Sequence, residues 1–292
     1  MARLLRPETV SQALRLLADG EVGTKLVAGG TAVMLMMRAG LLFPERLVAL
    51  EHVADLDYVE VEPDAVRLGA LTRLRDLERS VPLASALPTL ARAIGFVANH
   101  RVRNRATIGG CLSEADYASD PPAVLASLGA RVRLRSVRGE REVPVTDFLV
   151  GYYETVLEHD ELLTEVVIPR PGPRVRTTYL KYVSRSAEDR PCVGVAAYVD
   201  ADESGRTEEV RVAVGAATAN PFMLGDVAQM LGGGPLDAGA CRAVGEAYER
   251  AIEPIGDVRG SSDYRRKVTG RLVARALETT ALSGHGNGAF RL

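Results

Sequence analysis

Two pairs of adjacent glycines, Gly29-Gly30 and Gly109-Gly110, have the residue type and setting to bind an anion through the main chain. The second pair lies in Arg103-Asn104-Arg105-Ala106-Thr107-Ile108-Gly109-Gly110-Cys111, followed by Asp116 and Asp120-Pro121-Pro122. Without a Cβ, glycine lets a ligand reach backbone N–H groups, and successive N–H groups in a turn suit phosphate oxygens. The first pair lies in Ala28-Gly29-Gly30-Thr31-Ala32, between an apolar run and an amphipathic one. Each pair read alone is more often a plain turn, and neither has the G-x-G-x-x-G spacing of a Rossmann dinucleotide site. Asp120 before two prolines reads as a helix N-cap, with a ligand contact as the alternative. The Arg101-to-Arg105 run reads either as a solvated basic face or as a partner for pyrophosphate charge.

Other chemistry is poorly represented. The four histidines, His52, His100, His159 and His285, show no metal spacing. Ser184 and Ser186 lie near Lys181 and Arg185 but have no base-and-orienter set, so no catalytic residue and no metal site is assigned. Cys111, Cys192 and Cys241 form no C-x-x-C pair, which excludes a disulfide framework and a cysteine-held iron–sulfur cluster. The 292 residues carry a net charge of -2 with 25% charged residues, which gives no footprint for nucleic acid or an anionic membrane. The longest apolar run, Ala32 to Met37, is far short of the roughly 20 residues that span a bilayer. Arg3, Arg6 and Glu8 interrupt any signal-peptide core, so a cytoplasmic protein is expected.

The elements that must position these residues follow from the pattern. A helix is expected over Ser11 to Ala18. A strand over Lys25 to Ala28, the first glycine turn, a helix capped by Thr31 and a strand over Leu47 to Leu50 form a small βαβ unit. Asp57 to Glu62 and Ala65 to Leu71 pair across Pro63-Asp64, and Thr72 caps a short helix ending near Ser80. A longer helix is expected over Thr89 to His100, and another from Pro121 to a stop at Gly129. Val132, Leu134 and Val137 line one side of a strand that turns at Arg138-Gly139-Glu140, and Leu162 to Ile168 adds one more. Beyond the linker Pro169 to Pro173, strands over Thr177 to Val183, Val193 to Val199 and Val210 to Ala216 precede helices over Leu224 to Leu231, Asp237 to Ile252 and Asp263 to Leu282. Ser283 to Gly288 reads as a flexible tail. The expected fold is α+β: a βαβ unit over 1–54, an antiparallel α+β unit over 55–172, and a three-stranded sheet with helices over 173–292.

Taken in order, Ala28-Gly29-Gly30-Thr31, Arg103 to Gly110, Asp116 and Asp120 resemble the FAD-binding medium subunit of carbon monoxide dehydrogenase-type molybdenum hydroxylases. Glu161 to Glu165, Tyr179-Leu180-Lys181-Tyr182 and Val193 to Ala197 extend the resemblance over nearly the whole chain; the xanthine dehydrogenase flavin domain is a more distant relative. The resemblance implies an FAD held between two N-terminal units. Its pyrophosphate would be gripped by Ala28, Gly29, Gly30, Thr31, Ala32 and Val33 and by Thr107, Ile108, Gly109, Gly110 and Cys111. Asp120 would accept a hydrogen bond from the polyol or ribose, and Leu163 and Lys181 would stand at the isoalloxazine. The implied partners are a molybdenum-cofactor large subunit and a [2Fe-2S] small subunit, as a heterotrimer or its dimer, with this chain passing electrons from the clusters to an external acceptor. Alternatives are a stand-alone flavin oxidase or reductase and an assembly module that lacks flavin. Cys111 stands where relatives commonly have Asn, and Arg190 where many carry an aromatic residue.

Overall fold

The computed structural model describes residues 2–20, 23–186, 188–225, 227–282 and 288–292, and the fold is α+β. The N-terminal sheet contains β1 (Arg3–Leu5), β2 (Thr24–Val27) and β3 (Arg46–Ala49), all parallel, with β3 in the middle. Helix Val10–Ala18 starts one residue earlier than expected because the Thr9 hydroxyl accepts from Gln12 N–H at 3.2 Å. Its Val10, Ala13, Leu14 and Leu17 recur on one face and bury against Val48, Leu50, Val53 and Leu56. Helix Val33–Arg38 joins β2 to β3. Thr31 does not cap it; Ala32 holds the cap position and no side chain bonds there.

The central sheet is antiparallel, with β4 (Val59–Val61), β5 (Ala65–Gly69), β6 (Arg131–Ser136), β7 (Gly139–Pro144) and β10 (Leu162–Pro169) in the order β4-β5-β10-β6-β7. A small hairpin of β8 (Leu149–Gly151) and β9 (Glu154–Thr155) leads into β10. Val132 and Leu134 are fully buried as the alternation requires, but Val137 is 55% exposed, because the hairpin turn begins at Ser136 and breaks the two-residue period. The helix expected through His100 ends at Ile94. Ala98 then takes φ +44°, and a new helix, His100–Arg103, starts under an Asn99 cap. Arg103 fills the break, donating Nη1 to the carbonyls of Val97 and Ala98 and Nε to Glu78. Thr72 caps nothing, since its hydroxyl is taken up by the backbone of Tyr58.

Glu161, at the start of the last central strand, accepts Arg141 Nε and Nη2 at 2.7 Å each and the Glu158 N–H at 2.9 Å. The Arg141 hydrogen bonds hold its carboxyl below the usual range. The folded value lies below the unfolded one of about 4.3, so this stabilisation is complete above that pH and lost as pH falls through the folded value. Glu161→Gln is expected to cost about 1.5–3 kcal/mol at neutral pH. Urea unfolding should show the gap to wild type closing below about pH 4; a gap independent of pH would exclude the charged pair as its source.

The C-terminal sheet comprises β11 (Val175–Tyr182), β12 (Val193–Ala201), β13 (Thr207–Gly215) and β14 (Gly288–Arg291), in the order β13-β12-β11-β14. Among the described residues it therefore has four strands rather than the expected three. The added strand runs parallel to β11, placing Tyr179 opposite Ala289. Gly288 belongs to that strand and not to a tail; the rest of the stretch read as flexible, 283–287, lies outside the described residues. Both faces of this sheet are covered, which accounts for the unbroken apolar run Val193 to Val199. Val195, Val212 and Val214 pack on helices Ala238–Ala251 and Ser262–Leu282, while Ala196, Tyr198 and Ala213 share the central core with helix Pro121–Ser127. Among the described residues, no helix is long and apolar enough to cross a membrane.

Candidate functional site

The two glycine turns meet. The first leaves the end of β2 and leads into helix Val33–Arg38; the second opens helix Ile108–Glu114. A Cβ on Gly29 would stand 1.9 Å from the Arg105 carbonyl oxygen and 2.9 Å from Ala106 Cα, so only glycine permits this approach. From the other side, a Cβ on Gly110 would be in contact distance of Ala28 Cβ, at 3.7 Å. Thr107 starts the second helix by accepting the Gly110 N–H at 3.1 Å, and its fully buried Ile108 and Leu112 anchor it to the central core.

The turns differ in what their amides offer. In the second, Ile108 donates to the Thr72 carbonyl at 3.1 Å, Gly109 to the Ala70 carbonyl at 2.9 Å, Gly110 to the Thr107 hydroxyl, and Cys111 to the Thr107 carbonyl at 2.9 Å. In the first, the amides of Gly29, Gly30, Thr31 and Ala32 donate to no acceptor among the described residues. Gly30 takes φ +74°, which turns the chain so that this run of donors precedes a helix. Four successive half-exposed residues whose N–H groups have no acceptor among the described residues are suited to an anion.

Asp120 occupies the N-cap position of helix Pro121–Ser127, but its side chain makes no cap bond. The following prolines remove the amides that a cap would bind first. Its oxygens instead reach across to β11, where the Tyr179 hydroxyl donates at 2.7 Å and Lys181 Nζ at 2.9 Å. Lys181 Nζ also donates to the Phe96 carbonyl at 2.8 Å. All three side chains are buried. Burial pushes the Lys181 ammonium down and the Asp120 carboxyl up against their mutual attraction, and lifts the Tyr179 phenol well above its usual range. Leu163 is buried on β10 opposite Leu134, next to Thr164, whose carbonyl accepts the Ala70 N–H. Fold closure thus joins the first turn to the second, and Asp120 to Lys181, while Leu163 shares the central core with Ile108 of the second turn.

Cys111 Sγ lies 3.0 Å from the Ser119 hydroxyl, and burial pushes the thiol up to about 12. Arg190 pairs with Asp116 at 2.6 Å. The basic run divides: Arg103 is buried against Glu78, whereas Arg101 and Arg105 are exposed. Sequence reasoning missed Tyr117, whose hydroxyl donates to Asp257 at 2.7 Å, and with it Arg259 and Arg265. No local signal marks that contact, since the partners are 140 residues apart.

Comparison with known proteins bears on this arrangement. Residues 1–171 match the family described as the FAD binding domain in molybdopterin dehydrogenase, and residues 178–280 match the CO dehydrogenase flavoprotein C-terminal domain. The chain is 32% identical over 270 residues to the 6-hydroxypseudooxynicotine dehydrogenase complex subunit alpha of Paenarthrobacter nicotinovorans, covering 92% of this chain and 91% of that one. It is 32% identical over 277 residues to the glyceraldehyde dehydrogenase medium chain of Sulfolobus acidocaldarius, covering 95% and 97%. A solved carbon monoxide dehydrogenase from Hydrogenophaga pseudoflava superposes with a TM-score of 0.91 at 30% identity over 96% of both chains.

Proposed function

Because the chain belongs to the family of FAD-binding domains in molybdopterin dehydrogenases, with FAD as its cofactor, we propose that it is the electron-transfer subunit of a molybdenum hydroxylase complex. In this reading it takes electrons from the clusters of a [2Fe-2S] small subunit, themselves supplied by a molybdenum-cofactor large subunit, and passes them to an external acceptor in the cytoplasm. The assembly is a heterotrimer or its dimer. The names of its relatives, a medium chain and a complex subunit, support the partnership. The observation that carries the reading is the junction of the glycine turns with four unengaged amides at Gly29 to Ala32, a surface that fits a pyrophosphate.

When bound, FAD supplies a centre that exchanges electrons singly with clusters and in pairs with an acceptor. Ala28 to Val33 would hold the pyrophosphate from one side and Thr107 to Cys111 would close the other, where the Gly110 N–H is itself engaged by the Thr107 hydroxyl. Asp120 would meet the polyol or ribose, and Leu163 and Lys181 the isoalloxazine. A buried lysine ammonium there would favour negative charge on the cofactor. We divide the chain at 54/55 and 172/173; the family matches, over residues 1–171 and 178–280, support a boundary near the second position and carry none at the first.

Purification from the native source, with a visible spectrum and identification of the co-purifying chains, tests the reading. Flavin with two partner subunits is expected. Flavin without partners would replace it by a stand-alone oxidase or reductase, and partners without flavin by an assembly module.

A further inference from the structure

The loop that follows helix Ile108–Glu114, residues 115–120, is fastened to the C-terminal part of the chain at three of its polar side chains. Asp116 pairs with Arg190, Tyr117 with Asp257, and Asp120 with Tyr179 and Lys181. The middle fastening is the most elaborate. Asp257 accepts from the Tyr117 hydroxyl at 2.7 Å, from Arg259 Nε at 3.0 Å and backbone N–H at 2.7 Å, and from Arg265 Nη2 at 2.5 Å. Arg259 Nη2 also donates to the Tyr117 hydroxyl at 2.6 Å, and its guanidinium lies 5.2 Å from the centre of the Tyr117 ring. Arg265 is fully buried and donates Nη1 to the Ala216 carbonyl, while the Ala216 N–H donates to the Tyr117 carbonyl. Burial pushes the Asp257 carboxyl up, but the bonds from Arg259, Tyr117 and Arg265 outweigh it and hold the group ionised. Tyr117 is therefore gripped at both its main chain and its hydroxyl.

The same loop touches the glycine turn directly. Ser119 Oγ lies 3.0 Å from Cys111 Sγ, one residue after Gly110, and the Ser119 N–H donates to the Asp116 carbonyl. The path from Asp257 to the turn thus runs through Tyr117, the loop backbone, Ser119 and Cys111, with a packed or hydrogen-bonded contact at each step. Tyr152 and Tyr153 close the loop's outer side with edge-on rings at 5.2 and 6.3 Å from Tyr117.

We propose that Asp257 is a positioning residue for FAD: through Tyr117 it braces the 115–120 loop, so that the C-terminal domain sets the affinity of a cofactor that it does not itself hold at the pyrophosphate. The proposal rests on the reading that the glycine turns hold FAD. The brace has a geometric logic, because a turn that must present itself to a ligand needs its supporting shell locked by packing and hydrogen bonds.

The test uses the full-length apoprotein titrated with FAD, read by flavin fluorescence and by the visible circular dichroism of the bound flavin. Asp257→Asn and Tyr117→Phe are each expected to weaken FAD binding about tenfold and to alter the flavin dichroism. The double variant should be little worse than the more affected single one, because both cut the same path. Tyr248→Phe is the control: its buried hydroxyl, bonded to the Val212 carbonyl and the Leu224 N–H, stabilises the same domain away from the loop, and its loss should leave FAD affinity unchanged. Wild-type affinity in Tyr117→Phe would overturn the brace, as would an equal loss in Tyr248→Phe. Gly30→Val separates the premise from the proposal. If that variant binds FAD normally, the cradle reading falls and the brace with it; if it loses FAD while Tyr117→Phe keeps it, the brace alone falls.

Discussion

Replacing Gly29 by alanine is expected to strip the chain of FAD and to destabilise it by at least about 3 kcal/mol, at the upper end of overpacking costs. The new methyl would lie 1.9 Å from the Arg105 carbonyl oxygen. That backbone cannot retreat: the Arg105 and Ala106 N–H groups are bonded to the Val102 carbonyl, and the Ala106 carbonyl accepts the Leu74 N–H at 2.8 Å. The two turns must therefore part, and the donor surface built on their junction opens. Gly30→Val acts differently. Its Cβ meets nothing closer than Met34 Cγ at 3.4 Å, so the penalty is the φ of +74°, about 1–3 kcal/mol for a non-glycine residue, concentrated at the amides themselves. Flavin absorbance per chain and urea midpoints distinguish the cases, with Gly29→Ala losing both flavin and stability and Gly30→Val losing chiefly flavin. Full flavin content in Gly29→Ala would refute the joined cradle.

The second large effect is expected at the buried pair. Asp120→Ala leaves the Lys181 ammonium enclosed with only the Phe96 carbonyl, and should cost about 3–5 kcal/mol. Adding Lys181→Met removes the orphaned charge, so the double variant should regain most of that loss. Burial pushes the Asp120 carboxyl up and the Lys181 ammonium down, so desolvation offsets much of their attraction and removal of the pair as a unit should be tolerated. In the proposed reading, the use of the pair lies with the cofactor. Lys181→Met alone should retain FAD and shift its reduction potential to a more negative value, since a cation near the reduced flavin is gone. An unchanged potential would remove the electrostatic role, and a double variant no more stable than Asp120→Ala would show that the two charges are not coupled.

Much of this protein was legible in its residues. Period-two and period-3.6 patterns place most strands and helices to within a few residues, because each buries one face locally. The ordered set from Ala28 to Asp120 names the FAD-binding family, because main-chain phosphate binding demands small residues at particular places. Short elements escaped: β1 and β14 are too brief to carry a pattern, and their strand state depends on an edge supplied from elsewhere in the chain. Local rules expected cap bonds from Thr31, Thr72 and Asp120; Ala32 takes the cap position next to Thr31, and at Thr72 and Asp120 capping lost to longer-range partners. Thr72 found Tyr58, and Asp120, facing two prolines, found Tyr179 and Lys181.

The sequence by itself determined the residue types at the two turns, the α+β class and the family. Only the tertiary structure decided that Gly29 serves the junction with Arg105 while Gly30 serves the turn, that the free amides belong to the first turn, and that Asp257 reaches Tyr117. The physical reason is range: propensity and periodicity act over a few residues, whereas close backbone approach and buried charge pairing are settled by which distant segments the packed core brings together.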